Sequence, residues 1–488
     1  MIDSAFRFLY TNAMSESQAP ASISDEDWAA TPAPVRELVN ALLADYEQLR
    51  QRVADLEERV RQTSRNSSKS PSSDPPSAPR RVQRPPSGRK RGGQKGHKGQ
   101  GRKLKPQEQV TRVVDVKLDC CAECGALLLG EDPQPERHQV TELPRIEPEV
   151  VEYRRHTVPC LACGAQTPPA WPAEMSSSSF GPRLQATVGY LTGQLGISQR
   201  GVDEMMDAVF HTDIGLGSIP AMEQAASAAL AQPVEEAHAY VQAQAVVNAD
   251  ETGWRESSQR RWLWVGATPL VTVFLVLATR GADEAKRLLG AAFQGIVGSD
   301  RWGAYNWLEV LRRQLCWAHL KRDFQALVDR GGESAQVGQG LLEQTHKLFE
   351  LWHRVRDGTL SRTEFQAEVV PIQQRVRELL HQGISVAHTK TCHTCQNILK
   401  LEGALWTFVR VEGVEPTNNS AERPLRRPVL WRRRSFGTQS EAGSRFVERV
   451  LTAVITLRQQ QRDVLDYLTE ACAAAVRGDP APSLLPNP

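Results

Sequence analysis

The sequence has little cysteine, little net charge and no long unbroken apolar run. Nine cysteines in 488 residues are too few, and odd in number, for the disulfide scaffold of a secreted domain, so a reducing, cytoplasmic compartment is expected. The first 20 residues hold one Arg and no sustained apolar stretch, which argues against a signal peptide. Met14 is an alternative start, and residues 1–34 are expected to be a disordered leader. The 18 uncharged residues from Trp262 to Thr279 have the length of a membrane span. Gly-Ala-Thr-Pro at 266–269 interrupts them, and Val and Thr enrich them, so they read as two buried strands and a turn, with no membrane partner. A formal charge of only +2 argues at first against nucleic acid. What remains is ordinary: 40% hydrophobic and 24% charged residues exclude a chain that is disordered throughout. The length calls for roughly three or four domains.

The charge, however, is segregated. Between Arg80 and Lys105 lie 11 Lys or Arg and no Asp or Glu; with the chain at +2, removing those 11 leaves −9 for the rest. Arg89, Lys90, Arg91, Lys95, Lys98, Arg102 and Lys103 are interleaved with Gly, and a glycine-spaced basic strand is free to follow a groove and neutralise phosphates. The plain alternative is a solubilising tail. Residues 63–107 as a whole are rich in Ser, Pro and basic residues and read as a flexible linker. Before them, Val35, Leu42, Leu49 and Leu56 alternate with Val39, Tyr46, Val53 and Val60 in a heptad, flanked by Arg and Glu. Residues 35–62 are therefore expected to form a coiled coil that joins two or more copies, against the alternative of an amphipathic helix packed on its own chain.

Two knuckles follow, Cys121-Ala-Glu-Cys124-Gly and Cys160-Leu-Ala-Cys163-Gly. Each pairs two thiolates across a tight turn, and two such turns supply the four ligands of a structural, tetrahedral Zn²⁺, with Cys120 as an alternative ligand. Residues 108–175 are expected to be a small zinc-ribbon-like domain that presents the basic strand to DNA. Cys392 and Cys395, with His388 and His393, repeat the pattern without a second pair nearby, so ordinary helix packing is the better reading there.

Residues 176–243 read as helical. Then Ala245-Val-Val-Asn-Ala-Asp250 is a buried strand ending in a carboxylate, 261–266 and 270–279 an antiparallel pair, 282–289 a helix, and Gly295-Ile-Val-Gly-Ser-Asp300 another buried strand ending in a carboxylate. The order β-β-β-α-β with acids ending the first and fourth strands is the ribonuclease H-like arrangement. It is expected over 244–324 and 406–475, with a helical insertion at 325–405 and a disordered tail at 476–488. The fold class is thus multidomain α/β. Crowded carboxylates need a cation between them, and hard oxygens select Mg²⁺ or Mn²⁺; two such ions would drive an in-line phosphoryl transfer. The candidate third acid is Glu422, in Thr417-Asn-Asn-Ser-Ala-Glu-Arg-Pro-Leu-Arg-Arg. Asn419 and Glu422 also have the spacing of a capping box, which would give Glu422 a merely structural task. Arg423, Arg426 and Arg427 share one helical face beside that acid, with Arg432, Arg433 and Arg434 beyond, suited to phosphate contact or else to simple solvation. Trp254 and Trp302 are candidates for stacking on distorted bases, or else core residues.

Four stretches resemble the motifs of bacterial DDE transposases of the insertion-sequence 66 family: Asp250-Glu-Thr-Gly-Trp-Arg, Ser299-Asp-Arg-Trp-Gly-Ala-Tyr-Asn, Cys316-Trp-Ala-His-Leu-Lys-Arg-Asp-Phe and Asn418-Asn-Ser-Ala-Glu-Arg-Pro-Leu-Arg. The order of helix, Ser/Pro linker, Gly-Gly-Gln-Lys-Gly-His-Lys-Gly and CxxC pairs is similar too. The resemblance implies Asp250, Asp300 and Glu422 as the metal-binding triad, with 3′-end cleavage of an insertion element and strand transfer into target DNA as the reaction. His319 and Arg322 lie in one of these motifs, with DNA contact or site support as the expected role, or for His319 that of a satisfied core histidine. Asn419 is a further candidate supporting residue, and the resemblance implies small accessory proteins encoded by the same element. The rival readings are a catalytically inactive DNA-binding regulator and a nuclease of the same fold.

Overall fold

The computed structural model describes residues 23–67, 74, 103–172, 175–176 and 178–486. In chain order its helices and strands are α1 (Asp25–Ala30), α2 (Ala33–Arg61), β1 (Val158–Pro159), β2 (Gln166–Thr167), α3 (Pro182–Gly189), α4 (Gln199–Phe210), α5 (Ser218–Ala229), α6 (Ala231–Gln242), β3 (Val246–Glu256), β4 (Gln259–Ala267), β5 (Thr272–Leu277), α7 (Ala282–Leu289), β6 (Ile296–Ser299), β7 (Arg313–Leu315), α8 (Trp317–Asp329), α9 (Gly332–Arg356), α10 (Arg362–Ile384), α11 (Thr389–Leu399), α12 (Glu402–Leu405), α13 (Thr407–Arg410), α14 (Asn419–Ser435), α15 (Glu441–Gln459) and α16 (Val464–Arg477). The chain divides into two compact units, one of residues 1–78 with 317–402, the other of 79–316 with 403–488.

In the first unit α2 is one helix whose seam residues stay open to solvent. Leu42, Tyr46, Leu49, Val53 and Leu56 are each more than half exposed, and no residue of the helix is buried. Its C-terminal end is pinned by charge: Glu58 accepts from Arg330 Nε at 3.1 Å and pairs with Lys390, which also meets Asp55 at 2.8 Å. Asn66, just past the helix, donates to Asp329 Oδ2 at 2.8 Å. Helices α8 to α11 pack together, and α10 begins with a true capping box, Ser361 Oγ accepting from Glu364 N while Glu364 Oε2 accepts from Ser361 N. Cys395 is fully buried, its thiol filling the space above Gly383, where a Cβ would stand 2.3 Å from the sulfur. That is the packing role expected of it, and Cys392 lies one turn earlier on the same helix.

The second unit is built on a five-stranded mixed sheet in the order β5-β4-β3-β6-β7. The stretch 262–279 folds as the hairpin β4–β5, with Gly266 opposite Val273, and no described helix is long and apolar enough to cross a membrane. β3 pairs antiparallel with β4 and parallel with β6, and β6 pairs parallel with β7. The parallel register places Asn248 against Gly298, where a Cβ would stand 2.4 Å from Asn248 Oδ1, so the glycine leaves room for that side chain in its present position. The outer edge at β5 is not left bare. On α15, Glu448, Thr452 and Thr456 recur every fourth residue, and their side-chain oxygens accept from the backbone N–H of Val276, Phe274 and Thr272. A helix of period 3.6 and a strand of period 2 thereby satisfy the alternate donors that an edge strand leaves unpaired. Val247, Ala249, Leu263, Val265, Phe274, Val454 and Leu457 form the core between sheet and helices. A smaller cluster of Val188, Val202, Met206, Ile219 and Met222 holds α3, α4 and α5 together.

Candidate active site

Strand β3 carries the first acid. Its inward residues Val247 and Ala249 are fully buried, which fixes the phase of the strand and delivers Asp250 at its centre. Continuing the β3–β6 register from Asn248 and Gly298 by two residues sets Asp250 beside Asp300, the residue just past β6. The third acid arrives from helix α14. Ala421, Leu425 and Pro428 are buried along one face of that helix, against β3 and β4, and Trp431 continues the face to lie 5.3 Å from Trp254. The same face turns Glu422 toward the sheet, where Cys316 Sγ lies 3.8 Å from its Oε1. Arg423, Arg426 and Arg427 fall on the exposed remainder.

The three acids share one electrostatic environment. Burial pushes the Asp250 carboxyl well above the ordinary carboxylate range, and the negative charges of Glu251, Asp300 and Glu422 push it further. A fourth acid, Glu251, is 7% exposed and also raised, by burial and by Asp300. It has dedicated partners: Arg280 Nε donates at 2.5 Å and Tyr305 OH at 2.7 Å. Arg280 reaches Asp300 Oδ2 at 3.4 Å with its other end, and its guanidinium lies 4.2 Å over the Trp302 ring and 5.3 Å from that of Trp262. Asp300 Oδ1 accepts from the Trp302 backbone N–H at 2.8 Å. One arginine thus spans two acids and contacts two indole rings. Behind Asp300, Arg313 is fully buried in β7; its Nη1 donates to Asn306 Oδ1 at 2.8 Å, while Nε and Nη2 have no hydrogen-bond partner.

The helix bearing Glu422 is anchored by a different asparagine from the one expected. Asn419 is exposed. The N-cap is Asn418, 1% exposed, which makes no side-chain cap bond; instead its Nδ2 donates to Ala249 O at 2.8 Å and its backbone N to Cys316 Sγ at 3.2 Å. The capping-box reading of Asn419 and Glu422 is thereby overturned, because the cap residue spends its amide on β3. Pro424 and Pro428 lie within α14 without ending it. Trp254 is corrected as well: it is 2% exposed, with Nε1 donating to Thr438 Oγ1 at 3.3 Å, and is a core residue that cannot stack on a base. Trp302 is 43% exposed but is engaged by Arg280. His319 and Arg322 are half-buried on α8, in the other unit.

Asp250, Asp300 and Glu422 offer hard oxygen donors whose mutual repulsion a divalent cation would relieve, a donor chemistry that suits Mg²⁺ or Mn²⁺, but among the described residues their oxygens are not gathered within 4.8 Å of one another. The knuckles are formed individually. Gly125 and Gly164 take left-handed φ of +73° and +72°, and Gly125 N and Gly164 N return to Cys121 O and Cys160 O at 3.0 and 2.8 Å. Backbone N–H groups of Cys124 and Glu123 lower the Cys121 thiol, and those of Cys163 and Ala162 lower Cys160, which favours the thiolate a metal needs. Each pair thus fits half of a tetrahedral zinc site; among the described residues the four thiols are not gathered within 4.8 Å of one another. Arg89, Lys90, Arg91, Lys95, Lys98 and Arg102 lie outside the described residues, and Lys103 is exposed.

The profile of the Transposase IS66 family matches residues 177–445, more than half of the 488. The chain belongs to the IS66 transposase family. The matched stretch contains the whole sheet, all four acids and α14. A second family, of unknown function (DUF6444), matches residues 20–103 of this IS66-family chain, which include α2. Uncharacterized protein y4qI of Sinorhizobium fredii (strain NBRC 101917 / NGR234) is 28% identical over 249 residues, 46% of this chain and 45% of that protein. Uncharacterized protein y4hP of the same organism is 23% identical over 400 residues, 74% of this chain and 71% of that one. Family membership supports a transposase role.

Proposed function

We propose that this chain cleaves the 3′ ends of an insertion element and transfers them into target DNA, using Asp250, Asp300 and Glu422 to hold two Mg²⁺ or Mn²⁺ ions. The observation that carries the reading is the electrostatic coupling of three carboxylates, from β3, from the end of β6 and from α14, around a half-buried Asp250. The strand order β5-β4-β3-β6-β7, with β4 and β5 antiparallel to their neighbours, supports a ribonuclease H-like core. Bound there, the two ions would activate the attacking hydroxyl and stabilise the leaving 3′ oxygen.

The residues of the chain prepare that chemistry. Asp250 is raised by burial and by its neighbours, and a cation held among the acids would lower it again by stabilising the carboxylate. Arg280 and Tyr305 neutralise and orient Glu251, so that it does not compete with the triad. Asn418 ties the start of α14 to Ala249 O, the residue before Asp250, which fixes Glu422 against β3. Arg423, Arg426 and Arg427, exposed on the outer faces of α14, would neutralise DNA phosphates together with Lys103, and the same task is proposed for the basic residues Arg89, Lys90, Arg91, Lys95, Lys98 and Arg102, which lie outside the described residues. His319 and Arg322 are proposed as supporting residues. The Cys121/Cys124 and Cys160/Cys163 knuckles would hold structural Zn²⁺. The open heptad seam of α2 would pair with the same seam of a second copy, and element-encoded accessory proteins are further candidate partners.

The test uses purified protein, labelled element-end DNA, a supercoiled target and Mg²⁺, comparing wild type with Asp250→Ala, Asp300→Ala and Glu422→Gln. Metal-dependent joining by the wild type and its loss in each variant is the expected result. Cleavage without joining would replace the reading with a nuclease, and DNA binding without either reaction with a regulator.

A further inference from the structure

The β3–β4 hairpin and the end of α14 enclose a cavity of about 400 Å³ to which none of the readings above gives a task. Three arginines line it, Arg255 and Arg260 from the hairpin and Arg432 from α14, together with the rings of Trp254 and Phe436. Arg432 is fixed: its guanidinium donates to Thr252 Oγ1 at 3.1 Å and to Gly253 O. Arg260 lies 4.9 Å over the Trp262 ring. Phe436 is the unusual member. It ends α14 in the left-handed region at φ +60°, which a bulky residue rarely adopts, and its side chain is 71% exposed.

The backbone around Phe436 is built to hold it there. Its N–H closes on Arg432 O at 2.8 Å. The next residue, Gly437, has φ +106° and sits so close to the hairpin that a Cβ would lie 2.2 Å from Arg255 O. Thr438 then bonds the hairpin twice, its N donating to Arg255 O at 2.9 Å and its O accepting from Ser257 N at 2.7 Å. An exposed aromatic ring on a clamped backbone, beside three guanidinium groups at the edge of the core that holds Trp254, has the chemistry of a nucleotide subsite. Guanidinium groups pair with a phosphodiester, and a free ring face stacks on a base of any identity. The volume lies within the range of sites for small ligands.

We propose that this cavity captures an unpaired deoxynucleotide of the DNA, with the base stacked on Phe436 and the adjoining phosphate among Arg255, Arg260 and Arg432. The proposal rests on DNA being the substrate and adds a subsite that prefers single-stranded ends. The experiment measures anisotropy of two labelled DNAs with the full-length protein, a fully paired duplex and the same duplex with a short unpaired overhang. The wild type is expected to bind the overhang DNA more tightly. Phe436→Ala should weaken overhang binding roughly 5- to 100-fold and leave the paired duplex unchanged, while Phe436→Tyr keeps the preference. Arg260→Gln should lower the salt dependence of overhang binding by about one phosphate contact. Phe436→Ala binding like wild type, or losing the same factor on both DNAs, would overturn the proposal. Joining activity with Phe436 dispensable for overhang binding removes the subsite alone; overhang capture through Phe436 by a protein that cleaves nothing removes the enzymatic reading and leaves the subsite standing.

Discussion

Arg280→Ala tests how the acid cluster is tolerated in the metal-free protein. Arg280 is the cation that meets both Glu251 and Asp300, at 2.5 and 3.4 Å, and Glu251 is almost fully buried. Removing one partner of a buried ion pair costs about 3–5 kcal/mol. The Arg280 side chain is 24% exposed and Tyr305 still donates to Glu251, so the ion-pair loss is discounted to about 2 kcal/mol. Loss of the guanidinium from the Trp302 face adds about 0.5–1 kcal/mol. The sum, about 3 kcal/mol, corresponds to a fall of roughly 4–5 °C in the melting midpoint of a unit of this size. The deficit should shrink as pH falls. Glu251 and Asp250 have folded-state pKa values above their unfolded ones, and the missing cation raises them further, so the folded variant takes up protons before the unfolded chain does. Added Mg²⁺ should recover part of the loss. Thermal denaturation of wild type, Arg280→Ala and Arg280→Lys at several pH values, with and without Mg²⁺, measures this, with Lys intermediate. A fall under about 1 kcal/mol, or one that grows on acidification, would refute the idea that Arg280 compensates the acids.

Asp250→Asn should abolish joining yet raise the melting midpoint of the metal-free protein near neutral pH. Asp250 is raised in the folded state, so its charge costs stability as pH rises through the window above the ordinary carboxylate value, and the amide removes that cost; a lower midpoint at every pH would contradict the electrostatic account. Leu49→Glu, at the centre of the exposed α2 seam, should convert a self-associated wild type to monomer in sedimentation velocity while the helical circular dichroism of the remaining chain persists, and a monomeric wild type would remove the coiled-coil pairing. Cys160→Ser with Cys163→Ser should lower bound zinc measured by elemental analysis and weaken element-end binding; unchanged zinc stoichiometry would remove the knuckle from the metal site.

Local pattern made much of the chain legible. The helix Ala282–Leu289, the hairpin within 262–279 and the strand leading to Asp300 follow from period and turn residues alone, but the strand expected to end at Asp250 runs on to Glu256, because residues 251–256 continue the antiparallel pairing with β4. So does the α2 helix, whose heptad runs its whole length. What pattern could not supply was register. The meeting of Asp250 and Asp300 depends on Asn248 pairing with Gly298, a contact between residues fifty apart whose only local trace is one glycine. β7, with the sequence Arg-Gln-Leu, is too short and too polar to read as a strand, yet it buries Arg313 behind Asp300. Glu251, Tyr305 and Asn418 stand inside the recognised motifs, but their tasks are bonds to distant residues and leave no local signal. Arg280 was legible only as the charge that ends an apolar stretch. Trp254 and Asn419 illustrate the opposite error: proximity in sequence to an acid placed them in the site, while the alternation of β3 and the first turn of α14 turn one into the core and the other to solvent.

The central claim is that the carboxylate of Asp250 binds the metal on which strand transfer depends, and a change of ligand tests it most directly. In Asp250→Cys a thiolate replaces a carboxylate oxygen, which disfavours Mg²⁺ and is better tolerated by Mn²⁺. Joining of a pre-cleaved element end to a supercoiled target should be lost in Mg²⁺ and recover in Mn²⁺, with Asp250→Ala inactive in both. Full activity of Asp250→Cys in Mg²⁺, or of Asp250→Ala in either metal, would contradict the account.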